Sequence, residues 1–140
     1  MKGLGADQPY WDALSEGRVV MQRCEGCQKW NWPAVWRCGN CGSWEHAWHP
    51  RELKGQVFSW TRTWHHFGAP AELKPPFVTV VVTLDDTDER RLLGVLMPDS
   101  DDICIGVRVR GEVHKVHLED EQIPAIRWSL SPQQTIGDSV

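Results

Sequence analysis

The sequence predicts a mostly β chain: a short helix, a metal-held ribbon, then a small closed barrel. Three observations carry that expectation. Cys24-Glu25-Gly26-Cys27 and Cys38-Gly39-Asn40-Cys41 are two Cys-x-x-Cys pairs with ten residues between them. From Leu53 onward, alternating apolar and polar residues recur in short runs broken by Gly, Pro and Asp turns, the period-two signature of half-buried strands. Nine tryptophans occur in 140 residues, five of them within or just after the cysteine segment. Such rings either substitute for the core that a small metal module lacks or form a surface for a partner or ligand.

The cysteine pairs come first in importance. Four thiolates on two tight turns can occupy the corners of a tetrahedron, the geometry of a structural zinc site. A lone Cys-x-x-Cys is compatible with redox chemistry, but two in one short segment point to a closed four-sulfur site. The spacing is shorter than the roughly fifteen to twenty residues common between such pairs, yet suits two knuckles joined by a small loop. The expected ligands are therefore Cys24, Cys27, Cys38 and Cys41, and the expected ion is Zn2+. Four sulfurs complete the tetrahedron, so His46 and His49 are read as surface or strand residues. Cys104, between Ile103 and Ile105, is read as a small buried side chain.

Composition narrows the partners. Lys and Arg total 15 against 19 Asp and Glu; residues 1–50 hold five of each sign, and 51–128 hold ten basic and thirteen acidic. Neither half has the basic excess that makes phosphate-backbone binding strong. No apolar run approaches a membrane span, and no charged start leads into an apolar stretch. A cytoplasmic chain without membrane segments is expected, and a reducing compartment suits zinc thiolates.

Taken in order, residues 1–8 are small or polar and expected to be poorly ordered. Pro9 to Gly17 reads as a short helix, with proline in its first turn and Gly17 at its left-handed end. Tyr10, Trp11 and Leu14 fall on one face, which must dock because two turns are unstable alone. Arg18 to Arg23 leads as a strand into the first knuckle. Trp30 to Pro33 and Val35 to Arg37 form the loop and strand between knuckles, and Glu45 to His49 is the strand that follows.

The second half reads as five strands. Gly55 to Trp64 alternates, with Phe58, Trp60 and Trp64 expected on one face. A long, proline-broken connection runs from His65 to Pro76, of the kind that carries function. Phe77 to Leu84 is the strongest strand, and Arg90 to Met97 its hairpin partner across the acidic turn Asp85 to Glu89. That turn lacks the spacing of a calcium loop and is read as solvated, as is Pro98 to Asp102. Gly106 to Val113 is a further strand, and a shift of apolar phase near His114-Lys115 suggests a bulge or bend. Pro124 to Trp128 is a short last strand. Five antiparallel strands with one long early loop fit an OB-type barrel, with an SH3-like barrel as competitor. The expected division is 1–50 for helix and ribbon, 51–130 for the barrel and 131–140 for a loose tail.

These motifs, in this order, resemble a known family. Tyr-Trp-x-Ala-Leu-x-x-Gly-Arg (10–18), Gln-Arg-Cys-x-x-Cys (22–27), Cys-x-x-Cys-Gly-Ser (38–43), Gly-x-Val-x-Ser-Trp-Thr (55–61) and Pro-Phe-Val (76–78) are similar to the acyl-CoA-associated DUF35 family. The likeness runs from about Tyr10 to Trp128. It departs in the aromatic loop Trp30-Asn31-Trp32-Pro33-Ala34 and at Gly39-Asn40, where a proline often follows the third cysteine. The resemblance implies a rubredoxin-like zinc ribbon fused to an OB fold. It also implies an accessory subunit of a thiolase-like enzyme, whether thiolase, acyltransferase or side-chain aldolase, in lipid or steroid metabolism. Such a subunit helps hold the partner's acyl-CoA within a hetero-oligomer.

The residues are compatible with that role. No Ser/His/Asp motif and no phosphate-cradling glycine loop is present, and a four-sulfur zinc keeps no open position for catalysis. The chain is not expected to be catalytic alone. Trp60, Trp64, His65, His66 and Phe67 are the candidates for contact with acyl-CoA or partner, although His65 and His66 also read as an exposed pair on a loop. Tyr10, Trp11, Trp30, Trp32 and Trp36 are the candidates for partner docking. The alternative is a nucleic-acid-binding ribbon and barrel with Trp60 and Trp64 stacking on bases, which the acidic balance disfavours. An iron carrier of rubredoxin type is a weaker third reading, since ten residues between knuckles is short for it.

Overall fold

The computed structural model describes residues 5–132. The first element is helix α1, Gln8–Ser15, with proline in its first turn. It stops where Gly17 takes φ +82° and donates its N–H to Leu14 O at 3.0 Å. Order begins earlier than expected, because Asp7 accepts the Trp11 indole N–H at 2.9 Å. The apolar face docks within the chain: Tyr10, Ala13 and Leu14 are buried.

Three strands form the ribbon: β1 Val20–Cys24, β2 Trp30–Asn31 and β3 His46–Pro50, ordered β2-β1-β3 and antiparallel. No strand forms over Val35 to Arg37. Instead the Val35 N–H and C=O are both taken by the buried Gln22 side chain, at 3.0 and 2.9 Å.

The barrel is closed by five strands: β4 Lys54–Thr63, β5 Phe77–Leu84, β6 Arg91–Leu96, β7 Arg108–Leu118 and β8 Glu121–Leu130. The spatial order is β4-β5-β6-β8-β7, with β7 returning to β4. β5 shows why the valine-rich run is the best strand: Val78, Val80, Val82 and Leu84 point inward and are buried, while their neighbours are half-buried.

Four expectations are corrected here. The strands are not all antiparallel, because β6 pairs with β8 in parallel through Val95↔Arg127 and Leu96↔Trp128. Phe58 does not share a face with Trp60. The β4–β5 register steps from Val57↔Val82 to Ser59↔Val81, so Phe58 is the extra residue of a bulge. It lies outside, beneath the Arg91 guanidinium at 3.7 Å, while Trp60 takes the position opposite Val80. No bulge interrupts β7, whose register with β8 is unbroken from Val109 to Leu118. The phase shift has another cause: the hairpin buries Val116 on the face opposite to Ile126. Finally, β8 is twice the expected length, with Pro124 inside the ladder opposite Lys115.

The barrel's centre is Trp128, fully buried. Its indole lies between the backbones of β6 and β7, which come close enough only because both carry glycine there. A Cβ on Gly94 would stand 2.7 Å from Trp128 Cδ1 and 2.6 Å from Ile126 O, and one on Gly111 would stand 2.9 Å from Trp128 Cε3. One continuous core runs from Tyr10, Leu14, Met21 and Trp30 into the barrel valines, crossing the boundary expected at residue 50.

Candidate metal centre and aromatic surface

The two knuckles are local copies of one turn. In the first, Gln28 donates its N–H to Cys24 O at 3.0 Å and the Cys24 N–H reaches Lys29 O at 2.8 Å. In the second, Gly42 donates to Cys38 O and the Cys38 N–H reaches Ser43 O, both at 2.8 Å. Each turn needs a left-handed residue just after its second cysteine. Gly42 supplies it at φ +79°, and Gln28 adopts φ 64° with its side-chain amide held to Glu25 O at 3.0 Å.

These turns bring the four sulfurs within 4.8 Å of one another. Cys24 and Cys41 are 3.5 Å apart and Cys27 and Cys38 3.7 Å, too far for disulfides. An ion with tetrahedral bonds of about 2.3 Å to sulfur sets its ligands about 3.8 Å apart, so the spacing fits zinc. The electrostatics fit as well. The backbone N–H groups of Cys41 and Asn40 aim at Cys38 and lower its pKa to about 6. Cys27 is lowered by the Asn40 side chain and the Lys29 N–H. The Ser43 N–H also lowers Cys41, but Cys24, burial, Cys27 and Cys38 together push it up to about 11. Two sulfurs are prepared for charge while their neighbour resists it, a conflict that a divalent cation at the centre resolves. Asn31 Nδ2 adds a contact to Cys38 Sγ at 3.7 Å. His46 and His49 lie outside the cluster: His46 meets Trp36 O at 3.0 Å, and His49 packs on Trp30. Cys104 is exposed, contrary to expectation. Ile103 alone turns into the core, and the chain leaves it through a turn in which Val107 donates to Cys104 O.

The aromatic candidates separate into two groups. Trp60, Trp64, His65, His66 and Phe67 lie together on the end of β4 and the connection after it, all exposed. Trp64 is 66% and Phe67 80% exposed, with His65 edge-on to Phe67 at 5.8 Å. Arg62 sits over Trp60 at 5.6 Å and binds Asp99 at 3.1 Å, tying this strand end to the turn after β6. The second group does not form one surface. Tyr10 is buried against Trp11 and Trp32, with ring centroids 5.0 and 4.3 Å away. Trp30 is buried between the guanidinium groups of Arg23 and Arg51, at 5.0 and 5.1 Å. Trp11 and Trp32 are half-buried, and Trp36 alone of the five is largely open, 67% exposed. In the isolated chain these rings mostly serve its own core.

The acidic turn Asp85 to Glu89, expected to be solvated, is instead tied into the fold. Three of its carboxylates are engaged: Asp88 accepts the Trp30 N–H at 2.9 Å, Asp86 faces Arg51 at 3.8 Å, and Asp85 takes both terminal nitrogens of Arg108. Arg90 adds a bond to Trp30 O at 2.8 Å. The turn locks ribbon to barrel. Its only sequence signal is the run of Asp residues, which tolerate left-handed backbone such as φ 56° at Asp86 and 53° at Asp88.

Among the described residues, no helix is long and apolar enough to cross a membrane. Residues 11–46 match the family model of the ChsH2 rubredoxin-like zinc ribbon domain. No curated protein matches the chain. Among solved structures, an Ltp2-ChsH2(DUF35) aldolase chain is similar at 24% identity and TM-score 0.76, covering 90% of this chain and 94% of that one. A DUF35 protein of unknown function from Sulfolobus solfataricus is similar at 14% identity and TM-score 0.57, covering 91% and 87%. The chain thus carries a ChsH2-type, rubredoxin-like zinc ribbon on a closed five-stranded barrel, the architecture of the DUF35 proteins.

Proposed function

We propose that this chain is a non-catalytic subunit that docks on a thiolase-like enzyme and helps hold that enzyme's acyl-CoA substrate. The observation that carries the reading is the likeness, over nine-tenths of the chain, to a protein whose name joins Ltp2 and ChsH2(DUF35) as an aldolase. The geometry supports it in two ways. The four-sulfur centre is closed, so zinc would supply shape, held by Cys24, Cys27, Cys38 and Cys41, with no position left for substrate. Meanwhile Trp64, His65, His66 and Phe67 stand exposed on the connection after β4, where large rings gain most from being covered by a partner. Trp36 is the remaining docking candidate on the ribbon.

The test is co-expression with candidate thiolase-like proteins from the same organism, followed by size-exclusion chromatography and an acyl-CoA turnover assay. A joint peak, with partner activity lower when this chain is omitted, is expected. Phe67→Ala combined with Trp64→Ala should weaken the complex at least tenfold. Separate elution, together with full activity of the partner alone, refutes the reading.

A further inference from the structure

A second feature lies on the outer face of β7 and β8, beside the turn after β6. There a groove of about 460 Å³ is lined by Glu72, Arg110, Glu112, His114, Lys115 and Arg127. Register explains the cluster: Glu112 is opposite Arg127, Arg110 is opposite Ser129 and His114 is opposite Ala125, so these side chains share one face. Three cations meet two carboxylates, a local excess of one positive charge on a chain of net charge −4. One carboxylate, Glu112, faces His114 at 3.3 Å.

Arg127 is the unusual member. Among the described residues, its Nη2 is shut off from solvent and has no hydrogen-bond partner. Burial lowers its pKa, and the charge of Glu72 offsets only part of that effect. A guanidinium nitrogen left buried and unpaired is costly, and a methionine of similar length would fill the same space without that cost. The groove also continues into a second cavity of about 170 Å³, with which it shares Glu72, Met97 and Pro98. That cavity is walled by Leu73, Phe77, Val95 and Leu96 and is largely apolar.

We infer that this face binds an organic phosphate: its head pairs with Arg127, Arg110 and Lys115, and its apolar group enters the cavity beside Leu73 and Phe77. A phosphate carries enough charge and acceptor oxygens to engage several cations at once, which a single carboxylate does not. The inference stands apart from the docking reading, since none of these residues belongs to the Trp64–Phe67 segment.

Calorimetric titration of the zinc-loaded full chain with octyl phosphate, inorganic phosphate and octanoate tests it. Octyl phosphate should bind at least tenfold more tightly than either of the others. Arg127→Met should weaken octyl phosphate at least tenfold while its melting temperature equals or exceeds that of the parent chain. Arg110→Gln, at an exposed position, should weaken it several-fold and serves if the first variant misfolds. Absence of octyl phosphate binding at millimolar concentration, or unchanged binding by both variants, overturns the inference. Equal affinity for octanoate overturns the phosphate head, and equal affinity for inorganic phosphate overturns the apolar half.

Discussion

The Trp30 backbone N–H donates to the Asp88 carboxylate at 2.9 Å, joining positions 58 residues apart. Trp30 belongs to the ribbon and Asp88 to the hairpin turn of the barrel, so this charge-assisted bond is one of the links that fix how the two halves meet. Asp88 also holds φ 53°. Bonds to charged groups contribute about 1.5–3 kcal/mol. Asp88→Ala loses the acceptor and places Cβ-bearing alanine in left-handed backbone, whereas Asp88→Gly loses only the acceptor. Urea unfolding should show a loss of about 3 kcal/mol for alanine and roughly 1 kcal/mol less for glycine. Two variants as stable as the parent would show that this bond does not hold the halves together.

Trp128 and Gly94 set the second prediction. A methyl group at position 94 meets both the indole and the Ile126 carbonyl, and a backbone carbonyl cannot swing aside as a flexible side chain can. Gly94→Ala should cost about 3 kcal/mol or prevent folding. Gly39→Ala is the control, because its Cβ would have nothing within 4 Å. It should shift stability by no more than about 0.5 kcal/mol. Similar melting temperatures for the two variants would refute the tight seat described for Trp128.

The metal centre gives the third. Cys38→Ser removes one sulfur of the four and the one whose charge the backbone best supports. Zinc content by mass spectrometry should fall from one equivalent to near zero, and near-ultraviolet circular dichroism should lose the signal of Trp30 and its neighbours as the ribbon unfolds. The partner should be lost with it. A variant that stays folded and complexed without zinc removes the structural role of the clamp.

How much of this was legible in sequence depended on range. The four cysteines, the helix ending at Gly17 and the valines of β5 were readable because each declares itself within a few residues. The Phe58 bulge was not, since Phe58, Trp60 and Trp64 alternate well on paper and only pairing with Val81 and Val82 reveals the extra residue. The parallel seam of β6 with β8 was hidden for the same reason: strand neighbours far apart in the chain leave no local mark. Cys104 failed differently. Two flanking isoleucines suggested burial, but a turn sends Ile103 inward and leaves Ile105 outside. Tyr10 and Trp30 read in sequence as candidates for partner docking, and their burial against their own chain is decided by the fold.

The exposed position of Cys104 has a practical side. Once zinc claims four of the five sulfurs, this thiol is the one left for a maleimide, so a single dye can be attached without disturbing the metal. The same chemistry sets a trap for anyone judging assembly by gel filtration. In air, two copies can cross-link through Cys104, and a dimer that vanishes with reductant reports that sulfur, not a biological interface.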